Sequence, residues 1–167
     1  WTTVTRFKSD VSSIAVANND SRVILVGTET KGLYRSSDSG ASWVEYKDQL
    51  KEFKSSDKVY GFAQTDDGTT LIMNSKYGLL SSKDAGSTWS SLSLISSSGD
   101  VRAWSVAIDP RDDSVMYYGT EGVFYKSSNG GQSWQTIDLP SSRAPRAMIV
   151  DPDNRDHVIV GFASIEE

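Results

Sequence analysis

Ser36-Ser37-Asp38-Ser39-Gly40-Ala41-Ser42-Trp43 returns twice more in this chain, as Ser82-Lys83-Asp84-Ala85-Gly86-Ser87-Thr88-Trp89 and as Ser127-Ser128-Asn129-Gly130-Gly131-Gln132-Ser133-Trp134. The shared pattern is S-x-[D/N]-x-G-x-[S/T]-W. Its tryptophans step by 46 and then 45 residues, and a step of 42 back from Trp43 lands on Trp1. Trp1 is followed by Thr-Thr-Val much as Trp134 is followed by Gln-Thr-Ile. A fixed period of roughly 40 to 50 residues marks a repeat architecture, in which each unit is too small to bury its own apolar face and must stack on a neighbour.

Working outward from the boxes, each unit resolves into four short strands. The first alternates apolar residues: Ser13–Ala17, Val59–Ala63, Trp104–Ile108 and Ala147–Val150. Turns rich in Asp, Asn, Pro and Gly follow at Asn18–Ser21, Asp66–Gly68, Asp109–Asp113 and Asp151–Asn154, the residue types that make tight turns inexpensive. Second strands are expected at Val23–Thr28, Thr70–Ser75, Val115–Thr120 and His157–Phe162, and third strands at Gly32–Arg35, Gly78–Leu80 and Gly122–Tyr125. The box is the hairpin into a fourth strand that starts at the tryptophan. Strands of this length between regular turn signals make an all-β protein built of four-stranded antiparallel β-propeller blades. The chain holds three full repeats and a partial fourth, at about residues 2–43, 44–89, 90–134 and 135–167, in one segment spanning 1–167. One helical turn is expected within Asp48–Lys58. The chain opens on the last residue of a box and stops before a fourth one. That predicts further blades, in the same chain or in neighbouring ones.

The box has a physical rationale. Gly40, Gly86 and Gly131 stand where a tight hairpin needs positive φ. The Asp or Asn side chain can bond the amides of its own loop, and the Ser or Thr hydroxyl answers from the other side. Each tryptophan is expected to cover apolar surface at the blade edge, with its indole N–H at the wet rim. These units resemble the Asp-box (bacterial neuraminidase) repeats of sialidases, xyloglucanases, sortilin-type receptors and the photosystem II stability/assembly factor family. The run Ala107-Ile108-Asp109-Pro110, then Tyr118-Gly119-Thr120, then Gly122–Ser128 is typical of them. The resemblance covers the whole chain and implies a propeller. It implies no single function, because enzymes, receptors and scaffolds share the fold.

Composition excludes several classes. Seventeen basic and 22 acidic residues are interspersed, with net charge −5 and pI about 4.9, which gives no basic footprint for nucleic acid. No apolar run approaches the roughly 18 residues of a membrane span. With no cysteine, disulfides, thiol nucleophiles and cysteine metal sites are ruled out. No cofactor and no metal is expected. Asp38, Asp84 and Asn129 tie their hairpins together rather than hold calcium, which wants several carboxylate oxygens from one loop.

If the first strands line a channel, a cleft lies where they begin. Counting back from the strand ends aligns Arg102 with Asp10, Asp57 and Ala144, and aligns Trp104 with Ser12, Val59 and Arg146. Asp10 and Asp57 are then the best carboxylate pair for acid–base chemistry, with Arg102, Trp104 and Arg146 continuing the rim as a ligand platform. Sialidases of the resembling family carry an Arg-Ile-Pro motif, an arginine triad and a tyrosine nucleophile. This chain has no Arg-Ile-Pro, and Ala144-Pro145-Arg146 is no substitute. His157 is the only histidine and is read as a surface residue. Asn19-Asp20-Ser21 fits an N-glycosylation acceptor. Long connections at Glu45–Lys58 and Ser90–Arg102 border the channel face, and such loops on a rigid frame tend to carry function. The expectation is a non-catalytic, extracytoplasmic binding or assembly module that recognises a protein or glycan through this loop-bearing face. The alternative is part of a glycoside hydrolase.

Overall fold

The structure, a computed structural model, describes residues 3–95 and 102–164. The expectation attached to Trp1 lies outside these residues, as does part of the Ser90–Arg102 connection. The strands are β1 (Val11–Val16), β2 (Ile24–Thr28), β3 (Leu33–Ser36) and β4 (Val44–Glu45), then β5 (Val59–Gln64), β6 (Leu71–Ser75), β7 (Leu79–Ser82) and β8 (Ser90–Ser91). A third set follows as β9 (Ser105–Asp109), β10 (Asp112–Gly119), β11 (Val123–Ser127) and β12 (Gln135–Asp138), and then β13 (Ala144–Val150) with β14 (Val158–Ala163). Each sheet is an antiparallel meander in sequence order, so the molecule is three four-stranded β-propeller blades and a two-stranded fourth. The fourth strands start one residue after each tryptophan. β10 starts inside the expected turn, because Asp112 pairs with Asp109 ahead of a bulge.

The first strands of neighbouring blades lie side by side. Ser12 Oγ donates to the Val59 carbonyl at 2.7 Å, and Gln64 Nε2 donates to the Val16 carbonyl at 2.8 Å, tying β1 to β5. The cores lie between blades, because successive side chains on a strand point to opposite faces. On β6, Leu71 and Met73 join Leu25, Leu33 and Val59 of the first inter-blade core. Ile72, between them, joins Ile108, Met116 and Tyr118 of the second. A third core gathers Ala107, Val115, Tyr117, Phe124 and Val150. With both faces covered, all five residues of β6 are buried. By contrast, β1 and β14 leave Ile14 67% and Ile159 66% exposed.

The insertion between β4 and β5 is not a helix. It is a chain of tight turns in which Phe53 N–H bonds the Leu50 carbonyl at 2.9 Å and Ser56 N–H bonds the Phe53 carbonyl at 3.1 Å. Ser55 adopts φ 69°, which a right-handed helical turn cannot contain. Tyr46, Leu50 and Phe53 are drawn into the first core, and Phe53 meets the Tyr77 ring at 5.3 Å. Burial of these three side chains replaces helical pairing as what holds the segment.

Candidate binding site at the channel mouth

The blades present two ends. One carries the boxes and the turns between first and second strands; the other is where the first strands begin. At the box end the polar groups are consumed internally. Ser36 Oγ donates to Asp38 Oδ1 at 2.8 Å and accepts the Gly40 amide at 2.9 Å. Asp38 also accepts the Ser42 amide at 2.8 Å and the Ser42 hydroxyl at 2.6 Å. These bonds, from the Ser42 hydroxyl and amide and then from Ser36, hold the Asp38 carboxyl down at about 2. Ser82, Asp84, Gly86 and Thr88 repeat the arrangement. Burial pushes Asp84 up, but the Thr88 and Ser82 bonds outweigh it and leave the carboxyl below its ordinary value. In the third box Asn129 swaps polarity: its Nδ2 donates to Ser133 Oγ at 2.8 Å while Oδ1 accepts the Ser133 amide at 2.9 Å. Ser127 Oγ caps Gly131 as Ser36 caps Gly40. Asp38 and Asp84 give both oxygens to their own loops, and among the described residues no group of three or more His, Cys, Asp or Glu could hold a metal.

Two adjacent residues in each box are left-handed, not one: Ser39 and Gly40, Ala85 and Gly86, Gly130 and Gly131. The indole N–H groups are not at a wet rim. Trp43 Nε1 donates to the Gly40 carbonyl at 3.0 Å, and Trp134 Nε1 donates to the Ser93 carbonyl of the preceding blade at 2.8 Å. Trp89 Nε1 is buried without a partner among the described residues. Each ring is folded back over the glycine of its own hairpin, and the N–H groups of Trp43 and Trp134 bond backbone carbonyls.

The mouth end is built differently. A bulge interrupts β1, β5 and β13 near their starts, between Val11 and Ser13, Val59 and Gly61, and Pro145 and Ala147. Register with the second strands makes Ser13, Gly61, Ser105 and Ala147 equivalent. Ser12, Tyr60, Trp104 and Arg146 are then one ring of positions, and Asp10, Lys58, Arg102 and Ala144 another. This corrects the sequence alignment at one blade. Asp57 and Val59 each fall one residue short, because the first strand of blade 2 ends a residue later than its apolar pattern indicates. Backbone pairing agrees: Glu29 N–H bonds the Asp10 carbonyl at 3.0 Å, and Lys76 N–H bonds the Lys58 carbonyl at 2.8 Å. Val59 is fully buried, and the Asp57 carbonyl is occupied by the Gly32 amide at 2.7 Å. Asp10 and Asp57 both face solvent.

Arg102, Trp104 and Arg146 do come together, and Tyr60 completes the group. Arg102 Cζ stands 4.1 Å from the centroid of Tyr60 and 3.8 Å from that of Trp104, while Arg146 Cζ stands 4.1 Å from Trp104. Lys58 Nζ approaches Tyr60 at 5.9 Å and pairs with Glu29 at 2.8 Å. Such cation–π contacts at exposed residues are worth ~0.5–1 kcal/mol each. The residue as a whole remains open to solvent, yet burial lowers the Arg102 pKa from its usual value, and the charge of Arg146 adds to that; Tyr60 and Glu29 act the other way. Tyr60, Trp104 and Arg146 wall a cleft of about 220 Å³ with Asn74 and Ser105. Asn74 Nδ2 is engaged with the Ala103 carbonyl at 2.9 Å, but Asn74 Oδ1 and Ser105 Oγ are buried without partners among the described residues.

The sequence profile of the family described as Photosynthesis system II assembly factor YCF48 matches residues 1–143. The chain belongs to that family. Similar solved structures include YCF48 from Cyanidioschyzon merolae, 18% identical with a TM-score of 0.61 over 77% of this chain and 40% of that one. An ancestral GH74 enzyme is 22% identical with a TM-score of 0.67, over 86% of this chain and 21% of that one. The GH74 enzyme of Niastella koreensis is 23% identical with a TM-score of 0.61, over 91% of this chain and 21% of that one. At these identities the likeness is one of fold. The chain spans between 21% and 40% of the length of these structures. No curated protein matches its sequence at a significant level.

The remaining candidates have structural or peripheral places in this family member. Asn19 donates its side-chain amide to the Gly68 carbonyl at 3.0 Å, so the nitrogen of the glycosylation triplet helps join blades 1 and 2. His157 is exposed, with Nδ1 3.8 Å from Asp151. Among the described residues no helix is long and apolar enough to cross a membrane. Tyr60 and Lys58 escaped the sequence reading. A count back from Gln64 misses them by one, because register makes Thr65 the equivalent of Ala17 and Asp109.

Proposed function

We propose that this chain is a non-catalytic β-propeller module that binds a partner protein through its channel-mouth face and serves assembly. The observation that carries the reading is the run of Tyr60, Arg102, Trp104 and Arg146, in which two guanidiniums lie over aromatic rings at 3.8–4.1 Å. A guanidinium held against a ring keeps the donors on its edge free for carboxylates. The unpartnered Asn74 Oδ1 and Ser105 Oγ beneath add acceptors for a ligand's N–H or O–H groups. Membership of an assembly-factor family supports a polypeptide as partner. A carboxylate-bearing glycan has related chemistry and is the competing ligand.

The glycoside hydrolase reading needs two facing carboxylates. Asp10 has the ammonium of Lys58 as its counterpart on the next blade, which speaks against that pair. The reading includes further blades, in this chain or in neighbours, covering the apolar faces around Ile14 and Ile159. It also includes an extracytoplasmic location, which cell fractionation checks.

The test is capture of proteins from the source extract on the wild type and on Arg102→Ala/Arg146→Ala, quantified by mass spectrometry. The expected result is a partner held by the wild type and lost by the variant. Equal retention by both would contradict the reading. So would turnover of xyloglucan or a sialoside that Asp10→Asn abolishes.

A further inference from the structure

The insertion between β4 and β5 makes a second feature that the repeat does not. Lys31, Lys47, Lys51, Lys54, Ser55 and Asp57 line a cleft of about 340 Å³ on it. All four lysines are exposed. The ion pair formed beside this cleft among the described residues belongs to Lys58 and Glu29, not to any of the four. Asp48 and Glu52 share the segment, and Asp57 lines the cleft, yet the lysine charges are left unpaired there. In a chain of net charge −5, four such cations around one depression are a local reversal of sign.

The backbone carries an independent mark. Among the described residues three that are not glycine have positive φ: Ser39, Ser55 and Ala85. Ser39 and Ala85 hold the same place in two boxes, where the hairpin demands it. Ser55 has no counterpart in the repeat and lies in the lining of the lysine cleft. A non-glycine residue in this region is strained and persists where surrounding contacts impose it, often at ligand clamps. Those contacts are visible. Leu50 and Phe53 are buried beneath, Ser56 Oγ donates to the Leu50 carbonyl at 3.4 Å, and the Gly32 amide holds the Asp57 carbonyl. The lysines therefore project from a fixed platform, which lowers the ordering cost of binding.

We infer that this cleft docks an acidic segment of a polypeptide partner, an extended run of Asp and Glu side chains. The inference rests on the binding reading above for the partner being a protein. Lysine ammoniums are separate, strongly hydrated point charges on flexible stems, and four of them spaced around an open cleft match several separated carboxylates better than one planar anion. Lys58, next in sequence after Asp57 and paired with Glu29, links the cleft to Tyr60 and the arginine stack. One acidic segment can thus run from the lysine cleft to the mouth.

The experiment is fluorescence anisotropy of a labelled oligoglutamate peptide against the full chain, Lys47→Gln/Lys51→Gln/Lys54→Gln and Arg102→Ala/Arg146→Ala. The lysine variant is expected to bind roughly tenfold more weakly, the order that three exposed charge contacts supply together. Because these side chains are exposed, its thermal melt should match the wild type. Equal affinity of the lysine variant and the wild type overturns the proposal. If only the arginine variant loses affinity, the cleft is overturned and the mouth stands; if only the lysine variant does, the cleft stands and the mouth is overturned as the acidic site. Displacement of the peptide by equimolar inorganic phosphate overturns the commitment to an acidic peptide.

Discussion

The box end and the mouth end of the blades are both lined with charge, yet they spend it in opposite ways. At the box end the carboxylates of Asp38 and Asp84 are saturated by hydroxyls and amides a few residues away. The turns there add Asp113, bonded by Lys83 and by Thr70 Oγ1 at 2.7 Å, and Asp112, paired with Arg155 at 2.9 Å. At the mouth end Arg102 and Arg146 rest on aromatic faces, and Lys47, Lys51 and Lys54 form no ion pair among the described residues. A charge satisfied by its own loop maintains the fold. A charge set on a ring keeps hydrogen-bonding capacity for something else.

Three glycine substitutions break the box end with graded force. A Cβ on Gly86 would meet Leu25 Cδ2 at 2.4 Å, on Gly131 Leu92 Cδ2 at 3.0 Å, and on Gly40 Val4 Cγ1 at 3.2 Å. All three glycines are left-handed, so each alanine costs about 1–2 kcal/mol in backbone strain. Overpacking adds ~1–3 kcal/mol where the neighbour is fixed in the core, as Leu25 is, and little where it is exposed, as Val4 is. Urea denaturation should rank Gly86→Ala as most destabilised and Gly40→Ala as least, with Gly131→Ala between. Equal losses would show that the hairpins are not seated on neighbouring blades as described.

At the mouth the same measurement should move less than for Gly86→Ala. Arg102→Ala/Arg146→Ala removes three exposed cation–π contacts, each worth about 0.5–1 kcal/mol at most, while weakening an anionic ligand by about tenfold or more. That binding should also fall as salt is raised, whereas the glycine series should be indifferent to it. A large stability loss in the arginine variant would make the stack a structural element.

The smallest effect concerns Asp38. Its folded pKa of about 2 lies below the ordinary 3.8, so its contribution to stability is present above the ordinary value and is lost as pH falls toward 2. Asn129 already plays this part in the third box, so Asp38→Asn should leave stability near pH 7 almost unchanged. It should also flatten the acid limb of the stability profile between about pH 4 and pH 2. An unchanged acid limb would place the carboxylate's bonds elsewhere.

How far the sequence could be read follows the same division. The boxes, the turn residues and the alternating strands are local signals, and each strand lies within about two residues of its expected place except β10 and β13, which begin three residues early. The mouth depends on register across blades, and there counting failed by one at Asp57 and Val59. The place of Gly61 opposite Asn74, which makes Tyr60 rather than Val59 the equivalent of Trp104, is set by cross-strand pairing and not by the local apolar pattern. The helical turn expected at Asp48–Lys58 failed for a related reason, since Leu50 and Phe53 answer to the inter-blade core rather than to each other.

The most direct test of the division is hydrogen–deuterium exchange on the full chain with and without the captured partner. Added protection is expected at the mouth, in residues 46–60, 102–105 and 144–147, with the boxes at 36–43, 82–89 and 127–134 unchanged. Protection centred on the boxes would contradict it.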